Sequence, residues 1–178
     1  MYKNIQDVYG RDRNLTIIQK VLGSSEGEAE LMISNASTIS SLSQEWINAV
    51  KGSGRFSDYE WEENQVVKMT TLNKLIEQYG TPSFIKIDVE GSEYEVIKGL
   101  SKPIETISLE FVPEIIEPYI NCIHYLQRLG NTSWNYTLGE SMKFELEEWI
   151  IAEEMVKILT DFRNNAELWG DMYVRFMN

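Results

Sequence analysis

Two short runs carry ionisable side chains where a packed chain ought to be apolar: SFIKIDVEG at 83–91 and ISLEF at 107–111. Successive side chains of an extended strand point to opposite faces. Ile85, Ile87 and Val89 therefore share one face, and Lys86, Asp88 and Glu90 the other. The second run repeats this, with Ser108 and Glu110 set against Ile107, Leu109 and Phe111. A strand covered on both sides is expected to be apolar on both faces. A lysine and carboxylates there are costly unless they pair or serve a cleft. If the two strands are neighbours, Lys86, Asp88, Glu90 and Glu110 converge at one end of a sheet, and Gly91 permits a tight turn into the next helix. Such a group can accept a proton from a hydroxyl, hydrogen-bond a polyol, or hold a divalent cation through oxygen ligands. Residue types alone leave all three open, alongside a closed ion-pair network that merely orients the strands.

Other candidates carry blander readings. Glu93 and Glu114 suit helix N-termini, where the macrodipole favours a carboxylate. His124, the single histidine, lies mid-helix and reads as packing or surface, and Cys122 reads as a small core residue. Ser40 and Ser41 read as turn residues, with Ser41 also a candidate substrate contact. With one cysteine there is neither an intrachain disulfide nor a cysteine-based zinc site. No metal site is assigned.

The elements that must position these residues follow from punctuation and period. A weak helical pattern opens the chain and stops at Gly10. Residues 15–22, rich in β-branched side chains, read as a strand, and 28–34 as another. Residues 35–64 read as a long surface loop with a short helix over 44–50. A strand over 66–69 precedes a helix capped by Thr71 and stopped by Gly80. Strands over 83–89 and 105–111 alternate with helices over 91–100 and 113–129. A strand over 133–138, an amphipathic helix over 146–162 and a strand over 171–177 complete the series. Strand alternating with helix means an α/β fold, a parallel sheet covered by helices in a single domain over 1–178.

Composition narrows the partners. The 178 residues carry 28 acidic against 16 basic side chains, a net charge of −12. That balance repels phosphate backbones and anionic lipid, so neither nucleic acid nor a membrane surface is an expected partner. No apolar run approaches the roughly 20 residues of a membrane span. The polar start is unlike a signal peptide, and the lone cysteine suits a reducing, cytoplasmic setting.

The segment VVKMTTLNKLIEQYGTPSFIKIDVEGSEYEVIKGL resembles the central signature of FkbM-type methyltransferases, with Asn73 where the family usually shows aspartate. IIQKVLGSSEGEAEL, ISSL, ISLEFVPE and WGDMYVRF extend the similarity over nearly the whole chain. The resemblance implies a Rossmann-like class I methyltransferase fold, mostly parallel, with strand order 3-2-1-4-5-7-6 and the last strand reversed. It implies methyl transfer from S-adenosylmethionine to a hydroxyl oxygen of a sugar or other small natural product. Asp88 and Glu90 fall on the family's acidic motif, near methyl donor and acceptor. Leu22 and Gly23 fall where the adenine lies. By the same resemblance the first two strands, with the glycine-rich turn that cradles the cofactor, precede what is present here. Weak cofactor binding and a free sheet edge open to self-association are therefore expected.

Overall fold

The computed structural model describes residues 2–163 and 165–177. Among the described residues seven strands form two sheets. β1 (Val21–Leu22), β2 (Gly27–Ser34) and β3 (Trp61–Thr70) lie in the order β1-β3-β2. β4 (Phe84–Ile87), β5 (Thr106–Phe111), β6 (Thr132–Leu138) and β7 (Gly170–Phe176) lie in the order β4-β5-β7-β6. The helices are α1 (Tyr2–Tyr9), α2 (Gln44–Gly52), α3 (Leu72–Tyr79), α4 (Glu93–Lys98), α5 (Ile116–Leu129) and α6 (Ala152–Phe162).

The α/β class holds, but both sheets are mixed rather than mostly parallel. β1–β3 and β4–β5 are parallel, whereas β2–β3, β5–β7 and β6–β7 are antiparallel. The cause is local in each sheet. β2 doubles back along β3, and β7 runs reversed between β5 and β6. The order β4-β5-β7-β6 with β7 reversed is nonetheless the one the resemblance implies for its last four strands.

Three elements depart from the sequence pattern for physical reasons. Only Val21 and Leu22 of the apolar 15–22 run gain ladder partners, on Met69 and Thr70 of β3. The strand expected at 66–69 grows to ten residues because β2 pairs along its length. The helix expected from 146 starts at Ala152. Ile150 is taken up instead by a two-way backbone pairing with Trp134 on β6, and Glu154 accepts the Ile151 N–H to start the helix there.

Register sorts the four-stranded sheet into two faces. Ile107, Leu109, Val174, Met172 and Trp134 are fully buried on one. There α5 and α6 cover the sheet: Phe111 lies edge-on to Tyr119 and stacked on Phe162, which also meets Tyr136. Burying such rings contributes on the order of 2–3 kcal/mol apiece. The opposite face carries Lys86, Ser108, Tyr173 and Asn135 in one row, and Glu110, Asp171 and Thr137 in the next. Among the described residues β4 has one ladder partner, β5, so its other edge is open and Phe84 is half exposed. No helix among the described residues is long and apolar enough to cross a membrane.

Candidate functional site

The loop between β4 and α4 is held in a conformation few sequences tolerate. Glu90 has φ 53° and Gly91 φ 90°, both left-handed. Glycine enters that region freely, whereas glutamate is strained there by about 1 kcal/mol or more. A β-carbon at Gly91 would overlap the Trp46 side chain, so the tryptophan packs directly on the bare backbone. Three further contacts offset the strain. The Ser41 hydroxyl donates to the Glu90 carbonyl at 2.6 Å. The N–H groups of Val89 and Gly91 donate to Glu93 Oε1 at 3.2 and 3.3 Å. Ser43, whose N–H donates to Ser41 Oγ, caps α2 by accepting the Trp46 N–H, so a single segment, 41–46, clamps the loop.

That loop delivers Asp88 and Glu90 to Glu110 at the end of β5. Carboxylate oxygens of the three lie within 4.8 Å of one another. Lys86 sits beneath them, 3.8 Å from Asp88 and ion-paired with Asp171 of β7, the residue in register with Glu110. One ammonium thus faces four carboxyl groups. Burial pushes Glu110 up to about 8, helped by the charges of Asp88 and Glu90 and a hydrogen bond with Asp88, and opposed by Lys86. Burial also pushes Glu90 up to about 8, with Asp88 and Glu93 adding to it. Glu93 rises to about 7 because it is buried, although the loop N–H groups pull the other way. Burial disfavours the Lys86 charge, yet Asp171, Asp88 and Glu110 raise its pKa on balance. Asp88 and Glu110 therefore stand close enough to interact electrostatically, and the Asp88 charge helps Glu110 hold its proton.

Four of the sequence-derived site residues, Lys86, Asp88, Glu90 and Glu110, therefore meet. Ser41 joins them indirectly: it is 1% exposed and its hydroxyl hydrogen is committed to the loop backbone, so it positions Glu90 and presents no free group to a substrate. Leu22 and Gly23 lie elsewhere. The Gly23 N–H donates to the Thr70 carbonyl, and its own carbonyl is closely covered by Gly99. Gly99 follows α4, and the residue after Gly23, Ser24, donates its hydroxyl to Glu95 of that helix at 3.0 Å, so this segment packs on α4 and not on the carboxyl cluster. Three contributors escaped the sequence reading. Asp171 was detectable from alternation in GDMYVRF, which sets it against Met172. The loop-bracing role of Glu93 and the seat of Trp46 on Gly91 required tertiary geometry.

The carboxyl group opens directly to solvent, with the Asp88 side chain 47% exposed. A cavity of about 1030 Å³ lies instead against the three-stranded sheet, between Ile17, Ile18, Val21, Leu31, Ile33 and Val67. A smaller one of about 390 Å³ lies between α3 and Lys20.

The family model of the FkbM methyltransferase domain matches residues 8–150. The chain belongs to the FkbM methyltransferase family. Neither a curated protein nor a solved structure matches it. Methyl transfer is the chemistry of this family, and the match spans Lys86, Asp88, Glu90 and Glu110 while ending before Asp171. The FkbM domain thus supplies the carboxyl cluster, and the ion pair beneath it is completed from β7.

Proposed function

We propose that this FkbM chain serves methyl transfer from S-adenosylmethionine to a hydroxyl oxygen of a sugar or similar small natural product. The observation that carries the reading is the convergence of Asp88, Glu90 and Glu110 on an open sheet end, their carboxylate oxygens within 4.8 Å of one another. A hydroxyl is a poor nucleophile until a base takes its proton, and that base works best with a pKa near the working pH. Asp88, the most exposed of the group, accepts a hydrogen bond from the acceptor hydroxyl and takes its proton as the oxygen attacks. Glu110, whose pKa burial pushes up to about 8, stands protonated beside Asp88 at neutral pH. Lys86, tied to Asp171, limits the repulsion among the carboxyls without neutralising them.

S-adenosylmethionine supplies an electrophilic methyl group on a sulfonium. The described residues fit the acceptor side of that reaction and not a cradle for the cofactor. None of their glycines lies in a turn leading from a strand to a helix with backbone free to approach a ligand, apart from Gly91, whose open side Trp46 fills. No step is therefore assigned to residues around the cofactor, and calorimetry is expected to give no binding in the micromolar range. A micromolar dissociation constant for the chain alone would refute this.

Acceptor chemistry is tested by Asp88→Asn. Methyl transfer, assayed at millimolar S-adenosylmethionine because micromolar binding is not expected, should fall by roughly a hundredfold or more with the fold intact by circular dichroism. Activity within a few-fold of the parent would remove Asp88 from the base role.

A second reading has its own observation, the open edge of β4. Unpaired backbone groups there suit strand addition by a second copy, making the chain an interaction module. Sizing chromatography separates the two: a monomer at high concentration excludes the module, and a dimer broken by a proline at Lys86 supports it.

A further inference from the structure

Three arms of the chain deliver the carboxyl cluster: the loop after β4 with Asp88 and Glu90, the end of β5 with Glu110, and the start of β7 with Asp171. Two consecutive residues outside the cluster are tied to all three. They lie in the turn after α2, which folds back on that helix, the Phe56 N–H donating to the Val50 carbonyl at 3.2 Å. Arg55 Nε donates at 2.7 Å to Oε1 of Glu114, which lies four residues beyond Glu110. Its Nη2 donates to the Ala166 carbonyl and, at 2.9 Å, to that of Leu168, three residues before Asp171. Phe56 lies against Trp46, ring centroids 5.8 Å apart, and Trp46 packs on Gly91 beside Glu90.

Burial separates this contact from a surface ion pair. The Arg55 and Glu114 side chains are 15% and 5% exposed, against 50% and 71% for Lys74 and Glu77. Exposed pairs contribute little, whereas the members of a buried pair must stay together. A planar guanidinium also fixes the directions of its donors. Arg55 therefore sets where the exit of β5 stands relative to the entry of β7, just outside the ladder pairs Phe111 with Gly170 and Glu110 with Asp171. After burial, the charges of Asp88, Glu90 and Lys86 govern Glu110. Arg55 thus acts on the cluster through backbone position and not through its own charge.

We propose that Arg55 is the positioning residue of the carboxyl cluster: by joining the exit of β5 to the entry of β7, it holds Glu110 and Asp171 at the spacing in which Asp88 takes the acceptor's proton. Without Arg55 the two strand ends part and water reaches Glu110. The effect on catalysis rests on the base role proposed for Asp88, whereas the effect on the geometry of the cluster does not.

Carbon-13 NMR of carboxyl-labelled chain reads that geometry without methyl transfer. In Arg55→Ala, folded by circular dichroism, the Glu110 midpoint should fall from about 8 toward the ordinary 4.5, by about one pH unit or more. Millimolar guanidinium should restore it, because the free ion fits the space that the side chain leaves. Thr71→Ala, a helix cap lost in another part of the fold, should leave the midpoint in place, so loss of stability alone does not imitate the effect. Should Arg55→Ala not fold, Arg55→Lys decides: it keeps a charge for Glu114, cannot reach both carbonyls, and should lower the midpoint too. A midpoint unchanged or raised in the folded variant, one that guanidinium does not restore in Arg55→Ala, or one lowered equally in Thr71→Ala overturns the proposal. Methyl transfer at millimolar S-adenosylmethionine is read separately, and kcat should fall roughly tenfold or more with a smaller change in KM. A lowered midpoint in a chain whose parent transfers no methyl group keeps Arg55 as the clamp and sinks the base assignment. A fallen kcat with an unmoved midpoint sinks the positioning role.

Discussion

At the scale of single residues, the site depends on the backbone at Glu90 and Gly91 as much as on the carboxyls. Gly91→Ala adds a methyl where Trp46 already lies, at a φ of 90° that alanine resists. We expect a loss of about 2 kcal/mol or more in denaturant unfolding, with methyl transfer reduced further because Glu90 moves with the loop. Loss under 0.5 kcal/mol would show that the loop relaxes freely. Ser41→Ala should cost about 1 kcal/mol, the net worth of one hydrogen bond. Alternation put Lys86 and Glu110 on one face because it is a local rule, but Glu90 joins them from a left-handed loop after β4 has ended at Ile87, which alternation did not foresee. It could not place Trp46, whose contact with Gly91 joins residues 45 positions apart. Nor could it show that Ser41 spends its hydroxyl on the backbone, since a serine in a turn has many partners within reach.

At the scale of elements, those with their own punctuation were legible. Thr71 caps α3 as its type and position required, accepting the Lys74 N–H at 3.2 Å. Thr71→Ala should therefore cost about 1 kcal/mol, measured by thermal unfolding, and a neutral result would mean that water replaces the cap at no cost. Elements decided by distant partners were not legible. The apolar run before Gly23 has the composition of a long strand, but strand length is set by how much partner β3 offers. The start of α6 was misplaced for the same reason. Amphipathic period continues back through Glu147 and Glu148, yet Ile150 gains more from backbone bonds to Trp134 than from another helical turn. Strand direction was likewise hidden in the residue pattern: the resemblance implied the reversal of β7, and nothing marked that of β2 against β3.

At the scale of the whole molecule, one buried and two half-buried carboxyls make stability depend on pH. Folding raises Glu90, Glu110 and Glu93 from the ordinary 4.5 to about 8, 8 and 7. The folded chain then binds more protons than the unfolded one between those values and 4.5. Their contribution is fully present below about pH 4.5, declines as pH rises, and is gone above about pH 8. Glu110→Gln keeps a donor to Asp88 and removes one titration. Its unfolding temperature relative to the parent should be nearly unchanged at pH 4.5 and higher at pH 8, by calorimetry. A variant less stable than the parent at pH 8 would reverse the assigned sign. Net charge of −12 acts in the same direction, since self-repulsion grows as these groups ionise.

Whether Asp88 and Glu110 share a proton is tested most directly by carbon-13 NMR of chain labelled at its side-chain carboxyls, titrated from pH 4 to pH 10. We expect the Glu110 resonance to shift with a midpoint near 8, and Asp88→Asn to bring that midpoint down by removing the facing charge. If Glu110 titrates near 4.5 in the parent and is indifferent to Asp88→Asn, the two carboxyls do not share a proton and the proposed base is not there.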